Sequence, residues 1–260
     1  MAGIGRPIQA VADMTGLAVA VESKAREAKR TGTTYNLVGQ RLGRKGQGTR
    51  DRIIGAMSQL LAADEEVPIT LSAVAREASV GMSTLYLYFP DLGALVLAVL
   101  SRTIRENEPG SIEYLHEFWP DASLSECALS FTRSHFAFWE EHARLLKMRN
   151  GFADMHDERF VRYSQKMSNP VRAMLVRQMC AQPGACDPVF EDCAMVLLTG
   201  LERVATIVIN PDFAMLAGVE SLEERARYVE RLALAEARMI EALIRDMRGR
   251  ARHSESCRAP

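Results

Sequence analysis

Hydroxyl groups and bare hydrocarbon crowd one short segment, GMSTLYLYFP, which runs from Gly81 to Pro90 without a charge. Four basic residues and three glycines crowd another, RLGRKGQGTR, from Arg41 to Arg50. Ser83, Thr84, Tyr86 and Tyr88 can exchange hydrogen bonds with phosphates or base edges. Met82 and Leu87 offer only apolar contact, for instance to a thymine methyl, and Arg44 and Lys45 carry the charge a polyanion attracts. This is the chemistry of gripping rather than of bond making. The parts of other chemistries are missing: there is no Ser-His-Asp order, no HExxH and no paired carboxylates, and Gly43, Gly46 and Gly48 fit neither GxGxxG nor GxxxxGK[ST]. His135 and His142 stand seven apart with His156 further on, yet no cysteine or carboxylate completes a metal spacing. The expectation is no catalytic residue, no metal and no cofactor.

The elements that must position the gripping residues are helical. Ile53, Met57, Leu60 and Leu61 recur at helical spacing, with Thr49 placed as N-cap and residues 41–48 as a flexible basic arm ahead of it. Thr70 caps a short second helix whose inner face is Leu71, Val74, Ala75 and Ala78. Ser79 to Gly81 makes a tight break, with Gly81 supplying backbone freedom. Leu85, Leu87 and Phe89 alternate with Tyr86 and Tyr88 as in a strand, but a lone strand would have no partner; as a helix the segment buries Leu85 and Phe89 and turns Tyr86, Leu87 and Tyr88 outward. Asp91 caps a fourth helix carrying Leu95, Val96, Val99 and Leu100. Three short helices with a tight turn before the third describe a helix-turn-helix, whose third helix lies in the DNA major groove.

The stretch TRDRIIGAMSQLLAADEEVPITLSAVAREASVGMSTLYLYFPDLGALVLAVL resembles the DNA-binding domain of the TetR family of bacterial transcriptional regulators, over about Thr49 to Arg102. The resemblance implies that Thr70 is the capping threonine, Met82 to Phe89 the recognition helix and Tyr86 a phosphate contact, with Tyr88 also facing DNA. Base-edge contacts then fall to Met82, Ser83, Thr84 and Leu87. The sequence departs from the family pattern at the turn glycine, which is Ser79, at a serine, which is Gly81, and at a glycine inside the recognition helix, which is Ser83. Leu92 stands where the family has a phosphate-gripping lysine, and the basic arm, counted with Arg41, Arg44, Lys45, Arg50 and Arg52, is expected to compensate.

With 260 residues and 48% apolar content the chain can bury a core in one large or two modest domains. Residues 1–105 carry 13 Lys and Arg against 9 Asp and Glu, and residues 106–260 carry 19 against 24, so the positive excess lies where DNA would bind. The five cysteines form neither a disulfide framework nor paired CxxC, which leads us to expect reduced thiols in a cytoplasmic protein. The organisation expected is all-α: an extension over 1–40, the arm over 41–48, a DNA-binding domain over 49–102, a helical ligand-binding and dimerisation domain over 103–250, and a disordered tail over 251–260. The second half of the chain reads as helices Leu124 to Arg149, Asp157 to Met179, Pro188 to Ile209 and Leu222 to Met247.

Within that part Phe131, His135, Phe138, Trp139, Met148 and Phe152 are rich in aromatics, and Met155, Tyr163, Met167, Met195 and Thr199 can face them around an apolar small-molecule pocket. Phe190, Leu197, Leu201, Val204 and Val208, with Val229, Leu232, Ile240 and Leu243, are the expected faces of two helices. The resemblance implies that these join a second copy in a four-helix bundle, giving a homodimer for a palindromic operator in double-stranded DNA. The function expected is repression relieved by a small apolar or aromatic ligand. The alternatives are a DNA-binding regulator or activator without sensing and, further off, a helical-bundle enzyme.

Overall fold

The computed structural model describes residues 41–63, 68–106, 110–180, 188–210 and 212–256, and the expected extension over 1–40 lies outside them. Apart from a single bridge residue at Arg41, regular structure among these residues is helical. The elements are α1 (Arg44–Ala62), α2 (Leu71–Glu77), α3 (Met82–Tyr88), α4 (Leu92–Glu106), α5 (Gly110–His116), α6 (Leu124–Glu141), α7 (Ala143–Asp154), α8 (Glu158–Met179), α9 (Pro188–Val208), α10 (Phe213–Ala217) and α11 (Leu222–Ser256). The chain divides into two compact units, the first ending at Leu95 and the second starting at Val96. No single helix among the described residues is long and apolar enough to cross a membrane.

In the first unit α2 packs on α1 and α3 on α2. Ile53, Ile54, Ala56 and Met57 of α1, Val74 and Ala75 of α2, Ala78, and Leu85 and Phe89 at α3 form the core. Thr70 caps α2, its hydroxyl accepting the Ala73 N–H at 3.2 Å. The α2 terminus is a two-bond wrap: Ser79 N–H donates to the Arg76 carbonyl at 3.1 Å and Val80 N–H to the Ala75 carbonyl at 2.9 Å, the pattern that closes a helix through one left-handed residue. That residue is Ser79, with φ 52°. The expected placing of the turn's freedom at Gly81 is thus corrected, since Gly81 has an ordinary extended φ of −70° as the residue before α3.

The start of the unit also differs. The arm expected as flexible is helical from Arg44, with Gly43 as N-cap, and Thr49 sits inside α1, its hydroxyl donating to the Lys45 carbonyl at 3.2 Å. Leu42 is buried and draws the glycine-rich segment onto the unit. Two of the arginines counted with the arm turn inward: Arg52 Nε donates to the Ala78 carbonyl at 3.0 Å, and the Arg50 guanidinium lies over the Phe89 ring at 5.3 Å.

In the second unit α6 is central, packed by α5, α7, α9 and α11, while α8 packs on α5, α7, α9 and α11. The single helix expected from Leu124 to Arg149 breaks at His142, whose φ −110° and ψ 24° end α6 and start α7. Two short helices, α5 and α10, had no counterpart in the sequence reading. The expected tail is helical to Ser256. One buried cation ties the unit together: Arg248 of α11, 1% exposed, donates to the carbonyls of Gln178 and Trp119 at 2.8 Å each and to the Asp121 carboxylate at 2.5 Å. The expectation of reduced thiols fails at Cys180, which is disulfide-bonded, whereas Cys127 and Cys193 are free.

A left-handed conformation costs a non-glycine residue about 1–2 kcal/mol, against about 0.5–1 kcal/mol of extra chain entropy lost by glycine. Ser79→Gly should therefore stabilise the folded chain by roughly 0.5–1 kcal/mol, read as a higher urea midpoint at unchanged m-value. A lower midpoint would show that the serine side chain itself supports the turn.

Candidate functional site

The first candidate surface is the outer side of α3. Leu85 is fully buried whereas Tyr86 and Leu87 are 48% and 45% exposed, and Ser83 is exposed one turn earlier. Ser83, Tyr86 and Leu87 stand at i, i+3 and i+4, so they form one outward stripe. Met82, Thr84 and Tyr88 are half-buried at its edges. Arg44 and Lys45 are exposed in the first turn of α1, and this turn comes close to α3: a side-chain carbon at Gly46 would meet Leu42 Cδ2 at 3.0 Å and the Tyr88 hydroxyl at 3.7 Å. The glycine makes room for the buried Leu42 side chain, and the cationic turn lies beside Tyr88 at ordinary contact distance. Thr70 is exposed at the start of α2 and is also held by Ser72, hydroxyl to hydroxyl, at 2.9 Å. Thr49 is half-buried on α1. Leu92 opens α4, whose N-terminus is capped by the Asp91 carboxylate accepting the Ala94 N–H at 2.7 Å.

The second candidate is a partly open cavity inside the second unit, with a volume of about 80 Å³. Its ring-bearing wall comes from α6, where Phe131, His135 and Trp139 follow one another at every fourth residue. With Trp119 ahead of them they make a row at centroid spacings of 5.8, 6.2 and 6.0 Å, and Arg149 of α7 closes it over the Trp139 ring at 5.0 Å. Phe138, Tyr163 and Met167 line the same space, as do Leu100, Ile104, Ser111, Ile112, Leu146, Ser168, Val171, Leu198 and Glu202. A neighbouring crevice lined by Arg105, His116, Pro170 and Met174 shares Ile104, Ile112, Met167 and Val171 with it, and so adjoins it along one wall.

Burial sets the charge state of this cavity. His135 is pushed down to about 3 by burial, with the Arg149 charge adding to the shift, so the imidazole is neutral. Burial lifts the Tyr163 phenol to about 12, opposed by Arg149. It also lowers Arg149 and raises Glu202, and each of these two charges opposes the other's shift.

Six of the expected pocket residues therefore meet at one cavity: Phe131, His135, Phe138, Trp139, Tyr163 and Met167. The others do not line it. Phe152 stacks face to face on Phe160 at 4.7 Å, Met148 is half-buried elsewhere, and Met155, Met195 and Thr199 are exposed. Arg149 and Glu202 escaped the sequence reading because a lone charge inside an amphipathic helix looks like a solvated one; the signal available was Trp139 ten residues before Arg149. The expected dimer faces need correction too. Phe190, Leu197, Leu201, Val208 and Ile240 are buried within their own unit, and Val204, Val229, Leu232 and Leu243 are half-buried. The apolar groups left open on α9 and α11 are Val189, Met195, Val196, Leu234 and Met239, with Val196 70% exposed. Among the described residues no three His, Cys, Asp or Glu side chains converge on a metal position.

No family model matches the chain, and no curated protein is similar to it. Among solved structures it is similar to a TetR-family transcriptional regulator from Haemophilus influenzae, at 16% identity over 75% of this chain and 98% of that chain, with a TM-score of 0.35. A likeness this slight carries no argument about function.

The depressed His135 makes a statement about stability. The unfolded imidazole takes a proton near its ordinary 6.5 while the folded one resists until about 3. The unfolded state therefore binds more protons between these values, and stability falls as pH drops through that window, by at most about 1.4 kcal/mol per pH unit. His135→Gln should flatten the decline in urea-derived stability between pH 6.5 and pH 4; an equally steep decline would place its origin elsewhere.

Proposed function

We propose that the protein is a homodimeric, TetR-like repressor of transcription that binds a palindromic operator through α3 and is released by a small molecule held in the second unit. The observation that carries this reading is α3 itself, a short helix behind a tight turn and a threonine-capped α2. It spends Leu85 and Phe89 on the core and presents Ser83, Tyr86 and Leu87 outward. The resemblance of the Thr49 to Arg102 segment to the family's DNA-binding domain supports it from the sequence side. Base edges would be met by hydroxyls and apolar contact, with phosphates held by Tyr86, Tyr88, the α2 terminus at Thr70, and Arg44 and Lys45. Acting on chromosomal DNA puts the protein in the cytoplasm.

Two recognition helices must lie about 34 Å apart to enter successive major grooves. A ligand in the cavity, whose wall includes Leu100 and Ile104 of α4, would favour a state in which that spacing is lost. The second copy would dock on the open stripe of α9 and α11, around Val196 and Met239, in place of the residues already committed to the core.

Selection from a random duplex library is the direct test, and a two-fold symmetric consensus is the expected result; a pool without enrichment would sink the reading. On the selected site, Tyr86→Phe should weaken binding severalfold. Arg44→Ala with Lys45→Ala should reduce the slope of log K against log salt by about 2, since each lost phosphate contact removes roughly 0.9. An unchanged slope would remove the α1 turn from the interface. Val196→Asp should convert the dimer to monomer in sedimentation with helix content retained, and a persisting dimer would refute the stripe as the interface.

A further inference from the structure

The polar residues lining the cavity are Ser111, His135, Arg149, Tyr163, Ser168 and Glu202, and two of them carry a buried atom without a partner. His135 Nε2 and Tyr163 Oη are both shielded from solvent, neither makes a hydrogen bond, and both residues line the cavity. Each such orphaned atom is a standing cost that a ligand atom could remove by supplying the partner. The same walls carry two opposite charges. Arg149 donates to the Asn150 side-chain oxygen at 2.9 Å as well as lying over Trp139, and Glu202 balances it electrostatically. A carboxylate entering this space would bring a second anion to Glu202, and an ammonium a second cation to Arg149. Either would shed its hydration on entering, with only neutral hydroxyl and imidazole groups beside those two charges to replace it. Phe131, Phe138 and Trp139 meanwhile offer ring faces and edges to a flat apolar body.

We propose that the cavity takes an uncharged aromatic molecule carrying a hydroxyl group, with its rings among Phe131, Phe138 and Trp139 and its hydroxyl meeting His135 Nε2 and Tyr163 Oη. A hydroxyl both donates and accepts, and it is matched to this pair because a phenol oxygen can do the same and a neutral imidazole nitrogen can do either. A carbonyl oxygen could satisfy both atoms only where His135 is the Nε2–H tautomer, whereas a hydroxyl answers either tautomer, and a bare hydrocarbon would leave both atoms orphaned. The adjoining crevice, with Met174 and Pro170 on its wall, offers such a molecule a largely apolar way in. This assignment rests on the reading of the second unit as the sensing part of a regulator, so binding and DNA release are measured separately.

The experiment is equilibrium dialysis of the full chain against 1-naphthol, naphthalene and 1-naphthoate, three probes of one ring system that differ in the polar group. The expected order is 1-naphthol about 10-fold tighter than naphthalene, the worth of two ordinary hydrogen bonds in the lower half of their range, with 1-naphthoate weakest. Tyr163→Phe should bring 1-naphthol to within about 3-fold of naphthalene, consistent with loss of one such bond, with an unchanged circular-dichroism spectrum certifying the fold. Where Tyr163→Phe does not fold, His135→Asn serves as the second variant, with the same expected loss of discrimination. Equal affinity for 1-naphthol and naphthalene, tightest binding of 1-naphthoate, discrimination undiminished in the folded variant, or no binding of any probe each overturns the proposal. Operator binding is then measured with 1-naphthol at saturation. Release supports both readings, whereas tight 1-naphthol binding without release upholds the ligand class and refutes the sensing role alone.

Discussion

The guanidinium of Arg248 is the constraint on which the second unit is arranged. A planar group with five N–H donors can hold several acceptors at fixed angles, and here it joins three stretches of chain: α11, which carries it, the end of α8 at Gln178, and the irregular segment between α5 and α6. Gln178 works the same segment from the other side, its side-chain oxygen accepting the Trp119 N–H at 2.9 Å and its amide donating to the Glu117 carbonyl at 2.8 Å. Irregular backbone can be buried only when its polar groups are answered, and these two side chains answer them. Phe118 closes the arrangement, its ring 4.3 Å from the cation. Removing the arginine would leave the buried carbonyls of Gln178 and Trp119 without this donor, at about 1–3 kcal/mol for each one left unsatisfied.

The cavity inherits its shape from that tie. Once the 117–121 segment is held, α5 enters from one side with Ser111 and Ile112 and α6 leaves from the other with its aromatic row, and Trp119 begins the row that Arg149 ends. The polar residues inside are then set by what α7, α8 and α9 bring to the opposite walls. Their mutual compensation is partial: Arg149 and Glu202 balance each other, while His135 and Tyr163 are kept neutral by burial and left without partners. Dynamics and function meet in that imbalance, because a space whose polar atoms are unanswered gains by being filled.

The first unit solves its problem with local means. A seven-residue helix such as α3 has too few internal hydrogen bonds to be stable alone, so its position comes from Leu85 and Phe89 in the core, from the wrap at Ser79, and from Arg50 over Phe89 and Arg52 on the Ala78 carbonyl. Those two arginines belong to the stretch that reads in sequence as a free cationic arm. Its charge is therefore split, part toward solvent at Arg44 and Lys45 and part inward as ties between α1 and the turn.

Much of this was legible in the residues, and the boundary is physical. The helical class, Thr70 as a cap, Asp91 as a cap and the inward face of α3 follow from periodicity and capping chemistry, which act over a few residues and leave a local trace. The start of α1 did not show, because Gly43, Gly46 and Gly48 argue against a helix until Leu42 finds a core to enter. The break at His142 did not show because neither glycine nor proline marks it. The inward face of α9 did not show: the helix is apolar on both sides, at Leu197 and Leu201 and at Met195 and Val196, so its own sequence cannot say which side packs inward. That choice, like the pairing of Arg149 with Glu202 and the placing of His135 and Tyr163 on one cavity, was made only when α6, α7, α8 and α9 came together. Such juxtapositions join residues far apart in the chain, and a pattern with a period of 3.6 carries no information about them.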